Sequence, residues 1–316
     1  MSLFTANREK LVRDEWPPVL TARLAPLHMN DLAPWQLVPS DYDELSNWLT
    51  VSRTEEGAKA THPFLLLYSP DVSPIKDSRV RVTLRVLGIV ESVNISPLGN
   101  YNGRKEAAPR AVQFISLTGG AWSDVFDRQR KSLDNIRSFV GTVLNCDVED
   151  STRKPGTIYF QRLVFTKVRR DSPVKPRSVL VFGDDPHGWS SSIRDDWVVT
   201  HKISTGVYNE TGKPYKRHYS AIRPGDFVEV ISTVDIIKYR KKSGWATQAK
   251  LTLQEVMRVC DKEIVQAASV TPVPQQPQSD SDNHTFMSLF QHLTSIQDDV
   301  QRETEESEQY PDLMQM

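Results

Sequence analysis

The stretch SRVRVTLRVLGIVESV, residues 78–93, decides the fold class. Val80, Val82, Leu84 and Val86 fall on one side of an extended chain, and Arg79, Arg81, Thr83 and Arg85 on the other. That period of two predicts a half-buried strand with a basic outer face. Gly88 interrupts it, as a bulge or bend in a coiled sheet does. Outward from this stretch the same signal repeats. PFLLLY (63–68) and AVQFISL (111–117) read as short strands, with the polar loop 96–110 before the second. GTIYFQRLVFTKVRR (156–170) reads as a long strand and RSVLVFG (177–183) as a short one. DWVVTHKIS (196–204) and RHYSAI (217–222) flank the turn sequence YNETGKPYK and predict a hairpin. Residues 225–240 and 245–259 predict two long strands joined by the basic turn KKSG. Two helices stand out. Ser123 caps one running to about Val140, with Phe126, Leu133, Ile136, Phe139 and Val140 inward. Ser40 caps a short one near 41–49, where Tyr42, Leu45, Trp48 and Leu49 share a face.

The chain has 316 residues, 38% apolar and 25% charged, enough for a real core but lean for a fully packed chain. Its charge is uneven. Residues 263–316 hold ten acids and one base, Arg302, which leaves 38 bases and 30 acids in residues 1–262. A basic body joined to an acidic tail points to nucleic acid, or to a tail that masks the body. TPVPQQPQSDSDN (271–283) is a linker by composition. Within the tail, Phe286, Leu289, Phe290 and Leu293 recur at helical spacing, a short amphipathic motif suited to a protein partner's groove. The expected division is an N-terminal Pro- and Trp-rich arm (1–60), a barrel domain (61–184), a second barrel half or extension (185–262) and a largely disordered acidic tail (263–316).

The chemistry excluded is as informative. Two cysteines, Cys146 and Cys260, form no disulfide framework and fit a reducing compartment. The longest apolar run, about 64–68, is too short to span a bilayer, and the N-terminus lacks an apolar signal core, so no membrane or secretory role is expected. Gly212-Lys213 is followed by Pro214 and lacks P-loop spacing, no nucleophile elbow occurs, and the histidines do not pair at metal spacing. No cofactor, metal site or catalytic residue is expected. Asp184, Asp185 and His187 form the one compact acid–histidine cluster, the basis of a minor alternative as a metal-dependent nuclease.

An internal echo links Pro155-Gly156 with Pro224-Gly225: each opens a long β-rich run that ends in a basic cluster. The segment VTLRVLGIVESVNISPLGNYNGRKEAAPRAVQFISL, with GTIYFQRLVFTKVRRDSPVKPRSVLVFG after it, resembles the telomere-end-binding proteins of the protection-of-telomeres family. The resemblance covers about residues 80–183. It implies the five-stranded Greek-key barrel of the oligonucleotide-binding (OB) fold, here one or two barrels in a mostly β chain with a helix between strands. It also implies a nuclear, chromosomal setting and a G-rich single strand at a telomere. Thr157 follows Gly156 where the family has Asp, whereas Gly225-Asp226 keeps the pair.

Single strands bind such barrels through basic side chains on phosphates and aromatic rings on bases. Residues 153–177 hold eight bases against one acid, and 213–250 nine against three. The residues expected at a single-stranded DNA interface are Arg79, Arg81, Arg85, Tyr101, Arg104, Lys105, Arg162, Lys167, Arg169, Arg170, Lys238, Tyr239, Arg240, Lys241, Lys242 and Trp245. Tyr101, Tyr239 and Trp245 lie in polar turns and are the stacking candidates. Phe160, Phe165 and Phe227 read as core, and any of the cations can instead be a solvated strand edge. The expectation is a non-enzymatic single-stranded DNA binder. The alternative from another class is a β-barrel scaffold for protein partners.

Overall fold

The computed structural model describes residues 1–7, 9–54, 64–76, 78–149, 154–168, 176–241 and 244–270. The first part of the chain forms β1 (Ser2–Phe4), α1 (Pro18–Thr21), β2 (Leu37–Val38), α2 (Tyr42–Trp48), β3 (Leu49–Arg53) and β4 (Phe64–Tyr68). Next come β5 (Thr83–Asn94), β6 (Val112–Thr118), α3 (Ser123–Leu144), β7 (Val148–Glu149), β8 (Thr157–Leu163) and β9 (Thr166–Lys167). The last part forms β10 (Trp197–Val198), β11 (Ser204–Tyr208), β12 (Pro214–Lys216), β13 (Phe227–Lys241), β14 (Gly244–Cys260) and α4 (Lys262–Val270).

Five of these strands close on themselves. β5 pairs antiparallel with β6 and with β13, β6 pairs antiparallel with β8, and β13 with β14. The circuit shuts where β8 meets β14 in parallel, Phe160 beside Leu251. The internal echo is therefore no second barrel: the run after Pro224 supplies the fourth and fifth strands of the barrel that β5 begins. Alternation explains the interior. Leu84, Val86, Ile115, Leu117, Ile158, Phe160, Val230 and Leu253 all point inward and are buried. β5 serves two partners along its length and coils between them, with a register shift at Val90–Ser92 against β6. Gly88 has another reason to be glycine. A Cβ there would lie 2.9 Å from Cε2 of Phe126 and 3.1 Å from Cβ of Leu117, so α3 seats its first aromatic ring against bare backbone.

The apolar stripe of α3 packs as its spacing predicts, with Phe126, Leu133, Ile136, Phe139 and Val140 buried. Gln129 shares that buried face because it satisfies both backbone groups of Leu87, accepting from its N–H at 3.0 Å and donating to its carbonyl at 2.9 Å. Ser123 is the first residue of α3 rather than its cap, and α2 is capped by Asp41, which accepts from the N–H groups of Asp43 and Glu44, not by Ser40.

The segments read as an arm and as an extension both join this sheet. β1 pairs parallel with β5 and β2, and β3 with β4 flanks β13. Trp16 is buried with its ring centroid 4.8 Å from that of Phe227. The tryptophans of this arm build core: Trp16 and Trp48 are both buried. On the other side β11 continues the sheet beyond β14, and β12 hairpins back on β11. That hairpin is shifted from the predicted one: Asn209 organises its turn by accepting from the N–H groups of Thr211 and Lys213, and residues 219–221 form a 3-10 turn instead of a strand. Residues 177–181 form no strand; Leu180 alone of them packs on a satellite core with Leu98, Tyr101, Phe165, Ile193 and Val199, and its neighbours are exposed. Residues Met1–Val270 make one compact unit. The tail helix predicted around Phe286–Leu293 lies outside the described residues. Among the described residues no helix is long and apolar enough to cross a membrane.

The two cysteines differ in a way that labelling reads directly. Cys260 is buried, and burial, helped by the charge of Asp261, pushes its thiol up to about 12. Cys146 is half-buried, its thiol donating to Thr247 Oγ1 at 3.3 Å. Iodoacetamide at pH 8 is expected to modify Cys146 alone in the native protein and both after unfolding, counted by mass spectrometry. Native modification of both would show that the end of β14 opens readily.

Candidate nucleic-acid interface

β6 and β8 are the second and third strands of the barrel. Their inward residues, Ile115 and Phe160, sit opposite each other, so Phe114, Ser116, Tyr159 and Gln161 face outward. Phe114 and Tyr159 are diagonal neighbours on that face and stack, with ring centroids 5.8 Å apart and planes inclined at 29°. Phe114 is the half-buried ring and Tyr159 the buried one behind it. Beside them Ser116 donates to Glu91 at 3.0 Å, and Lys154 pairs with the same carboxylate. The Lys154 hydrogen bond holds Glu91 below the usual carboxylate range.

The β13–β14 pair runs on past the barrel as a ribbon, in register to Lys241 opposite Gly244, with β7 paired to β14 at Thr247 and Gln248. Arg240 faces Trp245, and alternation puts Lys238 on the same side. This side is open: Trp245 is 69% exposed, Lys238 and Arg240 are exposed, and the Lys238 ammonium lies 5.8 Å from the Trp245 ring centroid. The opposite side is closed by Glu149 of β7. Tyr239 donates to it at 2.5 Å and Lys241 at 2.6 and 2.7 Å. Burial, with that carboxylate next to it, pushes the Tyr239 phenol up to about 12. Of the aromatics expected to bracket the basic turn, Trp245 is presented and Tyr239 is tied down.

The structure sorts the remaining expected cations by partner. Arg81 pairs with Asp235, which also accepts from Thr252 at 2.5 Å. Arg85 lies 3.4 Å from Glu229, a buried carboxylate that accepts from Tyr208 at 2.8 Å. Arg79 bonds to Ser52 and to the Arg53 carbonyl. Arg162 turns toward the end of the barrel, donating to Gln254 at 2.6 Å and the Leu253 carbonyl at 3.2 Å, and burial lowers its pKa. Lys105 pairs with Asp196 at 2.7 Å. Arg104 is exposed in the loop before β6, and Lys167 is exposed in β9, which pairs with β10. Arg169, Arg170 and Lys242 lie outside the described residues. Arg81, just before β5, and Arg85 on it are thus tied to two acids of β13, Asp235 and Glu229, a pairing invisible to charge counting along the chain.

Tyr101 is a core residue. It is 4% exposed and meets Phe165 edge-on at 4.8 Å, so neither ring face is offered to a base. Its hydroxyl has no hydrogen-bond partner among the described residues, and burial raises its pKa. Tyr101→Phe is therefore expected to leave stability within about 1 kcal/mol of the parent and nucleic-acid affinity unchanged, as read by urea unfolding and anisotropy. A loss of affinity would bring Tyr101 back to the interface. The acid–histidine cluster is likewise engaged locally. Asp185 accepts from the N–H groups of Trp189 and Ser190, Asp184 accepts from that of Val181 and pairs with Lys202, and the His187 ring stacks on Trp189. Phe114 and Tyr159 were the residues sequence reasoning passed over. The signal was there: each is the outward neighbour of a core residue in a strand of period two.

The closed circuit, with its parallel closure between third and fifth strands and a helix between second and third, defines an OB-type barrel. No protein-family model matches the chain, and no curated protein matches its sequence. Among solved structures it is similar to gp2.5, a single-stranded DNA-binding protein encoded by bacteriophage T7, at 14% identity over 64% of this chain and 100% of that one, with a TM-score of 0.37. It is also similar to the single-stranded DNA-binding protein from bacteriophage Enc34, at 12% identity over 67% of this chain and 90% of that one, with a TM-score of 0.28. That protein in complex with single-stranded DNA aligns at 11% identity over 65% of this chain and 94% of that one, with a TM-score of 0.29.

Proposed function

We propose that the chain is a non-enzymatic single-stranded DNA-binding protein. The observation that carries the reading is Trp245, an exposed indole beside two exposed cations of the facing strand on the hairpin that joins the fourth and fifth barrel strands. OB barrels bind oligonucleotides on the face of strands two and three and on the loops beside it, that hairpin included. The Phe114–Tyr159 pair lies on that same face. Bases stack on Trp245 and Phe114, while Lys238 and Arg240 neutralise phosphates.

The test is fluorescence anisotropy of labelled single-stranded oligonucleotides against the full chain over a salt series. Lys238→Glu with Arg240→Glu is expected to weaken binding more than tenfold at low salt and to flatten the slope of log K against log salt by about 1.4, two phosphates at about 0.7 each. Unchanged affinity and slope would move the reading away from the ribbon. The telomeric and nuclear setting rests on the sequence resemblance; a G-rich oligonucleotide in the same titration tests it, with tighter binding than to a scrambled strand expected. The tail is proposed to compete for the basic ribbon or to recruit a protein, and removal of 271–316 is expected to tighten binding if it competes. One observation favours a protein-interaction scaffold as second reading: Phe182 is 99% and Val181 62% exposed on one short turn. Phe182→Ala is expected to leave DNA affinity unchanged.

A further inference from the structure

Three arginines converge on a cleft at the opposite end of β14 from the hairpin. Arg217 follows β12, Arg223 lies in the loop that enters β13, and Arg258 is on β14 itself. With Tyr215, His218 and Ser220 they line a volume of about 430 Å³. That is within the ~300–1,000 Å³ common for ligand clefts. Arg258 stands seven residues along β14 from Leu251, where β8 pairs, about 23 Å at the rise of a strand. The cleft is thus separate from the Trp245 ribbon.

Two of the three charges in it lack counter-ions among the described residues. Among the described residues no carboxylate lines the cleft, and Arg217 and Arg223 form no ion pair. The nearest acid is Asp226, 3.9 Å from Arg258. It is buried, and its oxygens already accept from the N–H groups of Arg223 at 2.9 Å and Lys262 at 3.2 Å. The donors are also held in place. The Arg217 guanidinium lies over the Tyr215 ring, 4.9 Å from its centroid, which fixes its plane and leaves its N–H edges to a ligand. Arg258 donates to the Ala221 carbonyl at 3.2 Å, and His218 Nδ1 shares a hydrogen bond of 2.9 Å with Ser220 Oγ. Three cations gathered in one concavity repel one another until an anion joins them. Guanidinium forks match the oxygens of a tetrahedral oxyanion two at a time, and the second ring nitrogen of His218 adds a donor.

We infer that this cleft is a phosphate-binding site. The phosphate belongs either to a small phosphorylated compound or to the backbone of a bound nucleic acid, and the inference does not depend on the DNA reading above. Calorimetric titration of the full chain with inorganic pyrophosphate tests it. Binding is expected in the wild type and in the ribbon variant Lys238→Glu/Arg240→Glu, and at least tenfold weaker binding in Arg217→Gln/Arg223→Gln. Both altered arginines are exposed, so the variant is expected to keep the parent's melting temperature and circular dichroism. Repeating the titration with the protein saturated by a long oligonucleotide separates the two sources. Lost pyrophosphate binding identifies the site as part of a phosphodiester track; retained binding identifies a separate small-molecule site. Absence of pyrophosphate binding, or equal binding by wild type and the Arg217/Arg223 variant, would overturn the inference, even in a protein that binds DNA.

Discussion

Trp245→Ala is expected to weaken single-stranded DNA binding by about 5- to 150-fold, the equivalent of the roughly 1–3 kcal/mol that one stacked base is worth. The same substitution is expected to change folding stability by no more than about 0.5 kcal/mol, because an exposed ring leaves no cavity behind. That combination distinguishes a contact residue from a structural one. Trp245 is 69% exposed on a ribbon whose pairing runs through backbone, so its removal leaves the hairpin intact. Trp245→Phe retains a π-face and is expected to recover most of the loss. Anisotropy and a urea unfolding curve on the same preparations settle the matter. Unaltered affinity in the alanine variant would mean that the ring is not where bases stack.

Phe160→Ala is expected to cost about 3–5 kcal/mol of stability, a large share of the roughly 5–15 kcal/mol a domain has. The ring is fully buried, and its strand position is the one that closes the barrel, with Ile115 opposite on β6 and Leu251 beside it on β14. The neighbours are held by three strands, so they cannot relax into the space the ring leaves. The urea midpoint should fall steeply with little change in slope, since the surface exposed on unfolding is nearly the same. A loss under about 1 kcal/mol would be incompatible with a close-packed interior at this seam.

Much of the fold was written in local periodicity. The alternation of residues 80–86, the inward stripe of α3 from Phe126 to Val140 and the two long strands of 227–241 and 244–260 were all legible, because each is a repeat within one element. Short elements were less so. Residues 177–181 have strand composition, yet Leu180 is taken up by the satellite core around Tyr101 and Phe165, and tertiary packing overrides a weak local preference. The tryptophans of the first fifty residues read as an appendage because their partners, such as Phe227, lie far along the chain.

The candidate site divides in the same way. The sequence by itself determined that a basic, aromatic-bearing hairpin exists at 238–245, since a turn between two alternating strands places Lys238, Arg240 and Trp245 on one side without help from the rest of the molecule. Only the tertiary structure decided which charges are free to act. Arg81 and Arg85 are spent on Asp235 and Glu229, and Lys241 and Tyr239 on Glu149, while Arg217 and Arg223 gather beside Arg258 with no ion pair of their own among the described residues. The physical reason is that a side chain's period within a strand is a local property, whereas the neutralisation of its charge depends on what strand pairing brings within a few ångströms from a distant part of the chain.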